Sequence, residues 1–344
     1  MHTKHFLKRV LVLGGTGAMG RYAVPELVRL GFRVDVVALD KPGVESENIS
    51  YIIANGKNDE WLTDFLRDNS YDAILDFLSY NVSEFKRRLD LLLDSTGQYL
   101  FLSSCRVYAN KEVPVRENSP RLLDVSTDKE YLSYKEHEYS LYKAIEEDLL
   151  INSGRKNWTI ILPATTYSTG RSQLVTLEAN NFVYRAMLGK KVILPEEAMD
   201  CPATLSWGGD VGIMIARLVL NPKAYGEKFI VASAEHHTWR EIAEYYQELI
   251  PLEYELVDTE TYLRVISTEK NYLFTKYQLI YARMFNRITD NSKVLEATGM
   301  KQEDLMPLKE GLRYELSRIT IDDLRADSYS IHRNKAMDEY FANK

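Results

Sequence analysis

Cysteine is scarce in this chain: Cys105 and Cys201 are the only two. They are too few for a disulfide framework and lack metal-ligand spacing, so a reducing compartment and no metal centre are expected. Long apolar runs are missing too. The run Val10 to Leu13 passes straight into glycines, too short for a signal sequence, and no stretch approaches the roughly 20 apolar residues of a membrane span. Positive charge is not in excess: 43 Lys and Arg against 50 Asp and Glu leave a formal charge of -7, the wrong sign for neutralising nucleic-acid phosphates. Internal repeats and low-complexity tracts are absent. These absences predict a cytoplasmic globular protein that takes a small molecule and binds neither nucleic acid nor membrane.

What is present is the material for an enzyme core. The 344 residues are 45% hydrophobic, and the first 165 alternate short β-branched runs with helical patterns, the mark of a parallel sheet covered on both faces. The pattern predicts strands at 9–13, 33–39, 49–53, 73–78, 99–103 and 158–162, with helices at 19–30, 60–68, 83–93 and 141–151. Pro25 should bend the first helix. Beyond Pro163 the alternation weakens; a helix opening at Asp210, a strand at 228–232 and a capping box at Thr238 to Glu241 stand out. The expected organisation is a dinucleotide-binding domain over 1–165, joined by 206–235, and a substrate-binding region from 166–205 and 236–344.

The run from Val10 to Gly20 sets a strand, a glycine turn and a helix in the order a dinucleotide requires. Gly14 and Gly15 take the tight turn, Gly17 leaves room for a pyrophosphate, and Gly20 lets helix and strand approach; Thr16, Ala18 and Met19 complete the cradle. Free amides at the helix start face the anion. Asp40, 26 positions beyond Gly14, is placed to accept from the adenosine ribose hydroxyls. It favours NAD over NADP, although Lys41 and Arg21 keep NADP open.

Tyr139-Ser-Leu-Tyr-Lys143 opens the helix before the sixth strand, and Ser103-Ser104 ends the fifth. With the glycine turn, this resembles the extended short-chain dehydrogenase/reductases, in an atypical branch of the NAD-dependent epimerase/dehydratase family. The resemblance implies an α/β fold: a Rossmann-type doubly wound parallel sheet with a smaller C-terminal substrate-binding α/β region. It implies Ser104, Tyr139 and Lys143 as the catalytic set. Four helical positions put Tyr139 and Lys143 on one face, where the ammonium would favour the phenolate and hold the cofactor ribose. Tyr131 and Lys135 offer the same spacing, but the apolar stripe after Lys143 favours the later pair. Cys105 falls one residue early for an acid/base and is expected to pack in the core.

On the substrate side, Phe77, Leu78 and Ser79 after the fourth strand are expected beneath the nicotinamide ribose. Leu162-Pro163-Ala-Thr165-Thr166-Tyr167 resembles the family stretch after the sixth strand, which gives Pro163, Thr165 and Thr166 to the cofactor and Tyr167 to the substrate. Arg287-Ile-Thr-Asp290 resembles the element whose arginine binds a nucleotide-sugar diphosphate, with Arg171 and Arg185 expected in support and Arg106 also on the substrate side. The resemblance also implies a possible homodimer. The leading expectation is NAD-dependent epimerisation of a nucleotide-sugar; a carbonyl or sugar reductase and a non-catalytic, NAD(P)-binding regulatory or RNA-associated protein remain as alternatives.

Overall fold

The computed structural model describes residues 7–40, 46–169, 171–324 and 328–344; Lys41 lies outside them. Its centre is a seven-stranded sheet formed by β1 (Arg9–Leu13), β2 (Arg33–Ala38), β3 (Ile49–Ile53), β4 (Tyr71–Asp76), β5 (Thr96–Leu102), β6 (Trp158–Pro163) and β7 (Glu227–Val231). Every neighbouring pair runs parallel. The strand order is β7-β6-β5-β4-β1-β2-β3, so the chain reverses direction across the sheet between β1 and β4. That reversal opens a crevice at the strands' C-terminal ends, where such sheets bind ligands.

The sequence of β1 shows why the sheet lies inside. Val10 to Leu13 are all fully buried. Leu11 and Leu13 join one core, Val10 and Val12 the core on the opposite face, because successive side chains of a strand alternate. Helices α1 (Gly20–Arg29), α2 (Asp59–Asp68), α3 (Val82–Asp94), α4 (Tyr139–Ile151) and α5 (Gly208–Leu218) cover those faces. α1 runs unbroken through Pro25. A third core gathers around Phe182, Trp239 and Tyr246 and takes residues from Tyr167 to Met337.

Two boundaries differ from the sequence pattern for identifiable reasons. β4 ends at Asp76, not 78, because the Asp76 carboxylate accepts the Leu78 amide at 2.9 Å, a local turn that competes with the ladder. Asp210 does not cap its helix. α5 begins at Gly208, and the buried Asp210 carboxylate accepts instead from the Met306 amide at 2.7 Å. The weak periodicity after Pro163 hides several short elements. Among them are a strand at Thr165–Tyr167, a helix at Ala179–Met187, and a parallel pair between Val192–Pro195 and Tyr254–Val257.

Two outcomes follow from this packing. A Cβ at Gly20 would overlap the Gly15 carbonyl, so Gly20→Ala should lower unfolding free energy by about 1–3 kcal/mol, measured by urea titration. Burial pushes Asp210 up to about 6. The raised folded-state value means the native protein binds the proton more tightly than the unfolded chain, so this group costs stability as pH rises from about 4. Asp210→Asn should therefore gain on the wild type between about pH 4 and 6 and hold that gain above it; a pH-independent difference would refute the assignment.

Candidate active site

A cavity of about 420 Å³ opens at the C-terminal ends of β1, β4, β5 and β6. The glycine turn forms one wall. Gly14 holds φ +75°, a conformation that favours glycine. Gly17 is exposed, and a Cβ there would find only the Gly14 carbonyl oxygen, 3.8 Å away. The space beside it is therefore free for a ligand. Among the described residues, the amides of Ala18 and Met19 on this wall donate to no protein group. Unsatisfied amides at a helix start, with no side chain in the way, fit a dinucleotide pyrophosphate. Thr16 and Gly15 lie in the turn without lining the cavity. Thr16 Oγ1 donates to the exposed Asp40 at 2.8 Å, which fixes that carboxylate at the end of β2, next to the turn.

The reacting groups stand opposite. Ser104, just past β5, accepts at its Oγ from the Arg106 amide at 3.2 Å. Its own hydroxyl proton remains available to a ligand. Tyr139 is the first residue of α4, whose N-terminus is capped by Glu138: the carboxylate accepts from the Ser140 amide at 2.7 Å and the Leu141 amide at 3.2 Å. Glu138 also pairs with Arg106 at 3.1 Å, and the Arg106 guanidinium lies 4.9 Å from the centre of the Tyr139 ring. The cap thus orders both Tyr139 and the cation over it. Ser104, Arg106 and Tyr139 all line the cavity.

The rival pair does not reach it: Tyr131 is buried against Ser140, and Lys135 is exposed. Cys105 borders the cavity, but its thiol bonds the Leu162 carbonyl oxygen at 3.2 Å, and burial pushes it up to about 12. A thiol so held is a poor acid/base.

Phe77 and Ser79 contribute to the floor, and Pro163, Thr165 and Thr166 to the side after β6. Leu78 turns away from it to pack against Gly14 and Gly56. Tyr167 is also not on the wall. It is fully buried in the third core, its hydroxyl pressed on Gly311, so the family-like motif ends one residue short of the cavity wall. Lys143 departs furthest from expectation. Only 2% exposed, its ammonium faces the buried Glu146 at 2.9 Å and does not line the cavity.

Cationic charge concentrates on the far side. Arg171 and Arg287 both line the cavity, as does Arg283, which the sequence reading missed. Arg283 lies four positions before Arg287, a spacing that could have flagged it. The guanidinium of Arg283 bonds the Val175 carbonyl, Thr165 and Gln173 at 2.8–3.0 Å. Arg287 donates to the Tyr281 carbonyl at 3.0 Å and lies 4.9 Å over the Phe285 ring, while its Nε and Nη1 are buried without a hydrogen-bond partner among the described residues. Burial pulls Arg283 down to about 9 and Arg287 down to about 10. Glu178 is the one carboxylate among the lining residues.

Because the space at Gly17 is open, Gly17→Ala should fold with nearly wild-type stability yet weaken NAD binding about tenfold or more, since the methyl occupies the path of the pyrophosphate. Isothermal titration with NAD alongside a thermal melt checks both halves.

A sequence profile of the NAD dependent epimerase/dehydratase family matches residues 10–199, which takes in the glycine turn, Ser104 and the Tyr139 helix. No curated relative matches by sequence. Among solved structures, the Bordetella bronchiseptica enzyme WbmG in complex with NAD and UDP superposes with a TM-score of 0.65 at 16% identity, over 94% of this chain and 99% of that one. The epimerase Mth375 of Methanothermobacter thermautotrophicus gives 0.65 at 15% identity, over 98% and 94%. The UDP-glucose 4-epimerase of Thermotoga maritima, bound to UDP-glucose, gives 0.61 at 16%, over 90% and 97%. At such identities the likeness is one of fold. The profile match spans more than half of the chain and includes the turn and helix that frame the cavity: this protein belongs to the NAD dependent epimerase/dehydratase family, as an NAD-dependent enzyme of the short-chain dehydrogenase/reductase type.

Proposed function

We propose that the protein epimerises a nucleotide-activated sugar by transient oxidation of a carbinol, with Tyr139 exchanging the hydroxyl proton. The observation that carries the substrate class is the buried Arg287 guanidinium with two open nitrogens on the cavity wall. Buried charge is costly unless it is paired, and a planar fork of donors suits a diphosphate. The local balance agrees. Arg106 is matched by Glu138, whereas Arg171, Arg283 and Arg287 face only Glu178, a surplus of about two positive charges. A sugar-nucleotide diphosphate supplies about two negative ones. Relatives of the same fold carry UDP or UDP-glucose in the solved complexes.

Within this reading, Ser104 donates its free hydroxyl proton to the substrate oxygen, and Tyr139 takes or returns the proton on that oxygen. Arg106 holds the Tyr139 ring in place through its stack and through Glu138. NAD, when bound, would supply the hydride acceptor and donor. The arginines fix the diphosphate, so the sugar can turn between the two transfers without leaving. Thr165 and Thr166 border the same space from the β6 side.

The test is whether the purified enzyme interconverts epimers of UDP-hexoses with no change in NADH absorbance. Tyr139→Phe should reduce the rate about 10²–10⁴-fold while retaining NAD, and Arg287→Met should raise KM far more than it lowers kcat. Stoichiometric consumption of NADH or NAD would replace epimerisation by net reduction or oxidation.

A further inference from the structure

Tyr139 and Lys143 share a helix face, yet only Tyr139 reaches the cavity. Lys143 is 2% exposed and Glu146 fully buried, with 2.9 Å between the ammonium and a carboxylate oxygen. The Phe101 ring centre lies 4.5 Å from the ammonium and that of Tyr142 5.9 Å. Tyr142 in turn bonds Ser79 on the cavity floor at 3.2 Å, so the ion pair lies directly behind that floor.

This pair is poorly satisfied. Neither Lys143 Nζ nor either carboxylate oxygen of Glu146 makes a well-directed hydrogen bond. The other buried carboxylate nearby, Asp76, is occupied: it accepts from the Leu78 amide and from the hydroxyls of Tyr80 and Tyr99, each at 2.9 Å. Glu146 has no such company and holds only Lys143. An ammonium on a flexible four-carbon stem can leave such a site when a better acceptor arrives.

We propose that Glu146 is a positioning residue that holds Lys143 behind the cavity floor, so that a bound dinucleotide must draw the ammonium from this carboxylate to its ribose hydroxyls. Lys143 thus has two stations, and part of the cofactor's intrinsic affinity is spent on the transfer. The inference rests on the assignment of Lys143 to the ribose but not on the identity of the sugar.

The experiment is NAD binding by isothermal titration to cofactor-stripped wild type, Glu146→Gln, Lys143→Met and the double variant. Glu146→Gln should tighten binding about tenfold, equivalent to about 1.4 kcal/mol. Lys143→Met should weaken it, and the gain from Glu146→Gln should vanish in the Lys143→Met background. Should Glu146→Gln fail to fold, Glu146→Met supplies an apolar replacement of similar size. Unchanged or weaker binding in a folded Glu146 variant overturns the proposal, as does an equal gain in the absence of Lys143. Wild-type affinity in Lys143→Met would remove its premise, the ribose contact, while leaving the nucleotide-sugar reading untouched.

Discussion

Everything in this molecule is hung on how closely α1 approaches its neighbours. At its N-terminus Gly20 sits against the Gly15 backbone, where no Cβ fits; along its flank Gly212 of α5 would place a Cβ 2.8 Å from the Ala23 amide and the Met19 carbonyl oxygen. Glycine on both contacts lets α1 press onto β1 and α5 press onto α1. That geometry aims the free amides of the turn into the crevice at the β1/β4 reversal. The same helix anchors the C-terminal half. Tyr22 donates to the fully buried Glu315 at 2.7 Å, and Thr169 and Trp207 donate to the same carboxylate at 2.6 Å each. One carboxylate with three neutral donors thus ties the cofactor helix, the loop that carries Arg171 and the segment leading into α5.

The first half of the fold was legible because both sheet faces are covered. Strands buried on two sides read as continuous apolar runs, and the glycine turn sits where a parallel sheet must place it. The second half was not, since its core is assembled from short elements whose partners lie far away in sequence: Val192–Pro195 pairs with Tyr254–Val257, and Tyr167 packs on Gly311. No local period encodes such contacts. Among the site residues, Ser104 and Tyr139 could be named because they stand at the end of β5 and the start of α4, and Arg287 because Arg287 to Asp290 resembles a family motif. Lys143 and Tyr167 lie off the cavity wall, which a motif does not record: it fixes spacing, whereas burial against Glu146 or Gly311 depends on the partner.

The halves contribute different chemistry. The sheet side brings amides and hydroxyls, groups that orient a ligand at little electrostatic cost. The segment around Arg283 and Arg287 brings charge. Both arginines arrive through long-range backbone contacts: Arg287 donates its amide to the Pro202 carbonyl at 3.0 Å, and the Arg283 side chain bonds the Val175 carbonyl at 2.9 Å. Charge so placed cannot move aside to reach water, which preorganises the site for an anion.

Charge held in this way has a cost to the fold. A buried guanidinium with no directly paired carboxylate costs the fold desolvation, and this falls most on Arg287, whose Nε and Nη1 are buried without a partner among the described residues. A ligand that neutralises this charge binds the folded state alone, so its affinity feeds directly into stability. The arginines share a segment with Leu279 and Met284, which pack in or against the third core, whereas the glycine turn lies on the sheet side of the cavity. In the proposed reading, the glycine-pinned helix holds the dinucleotide while the charged wall takes the substrate anion, a division that suits a substrate that must turn against a fixed cofactor.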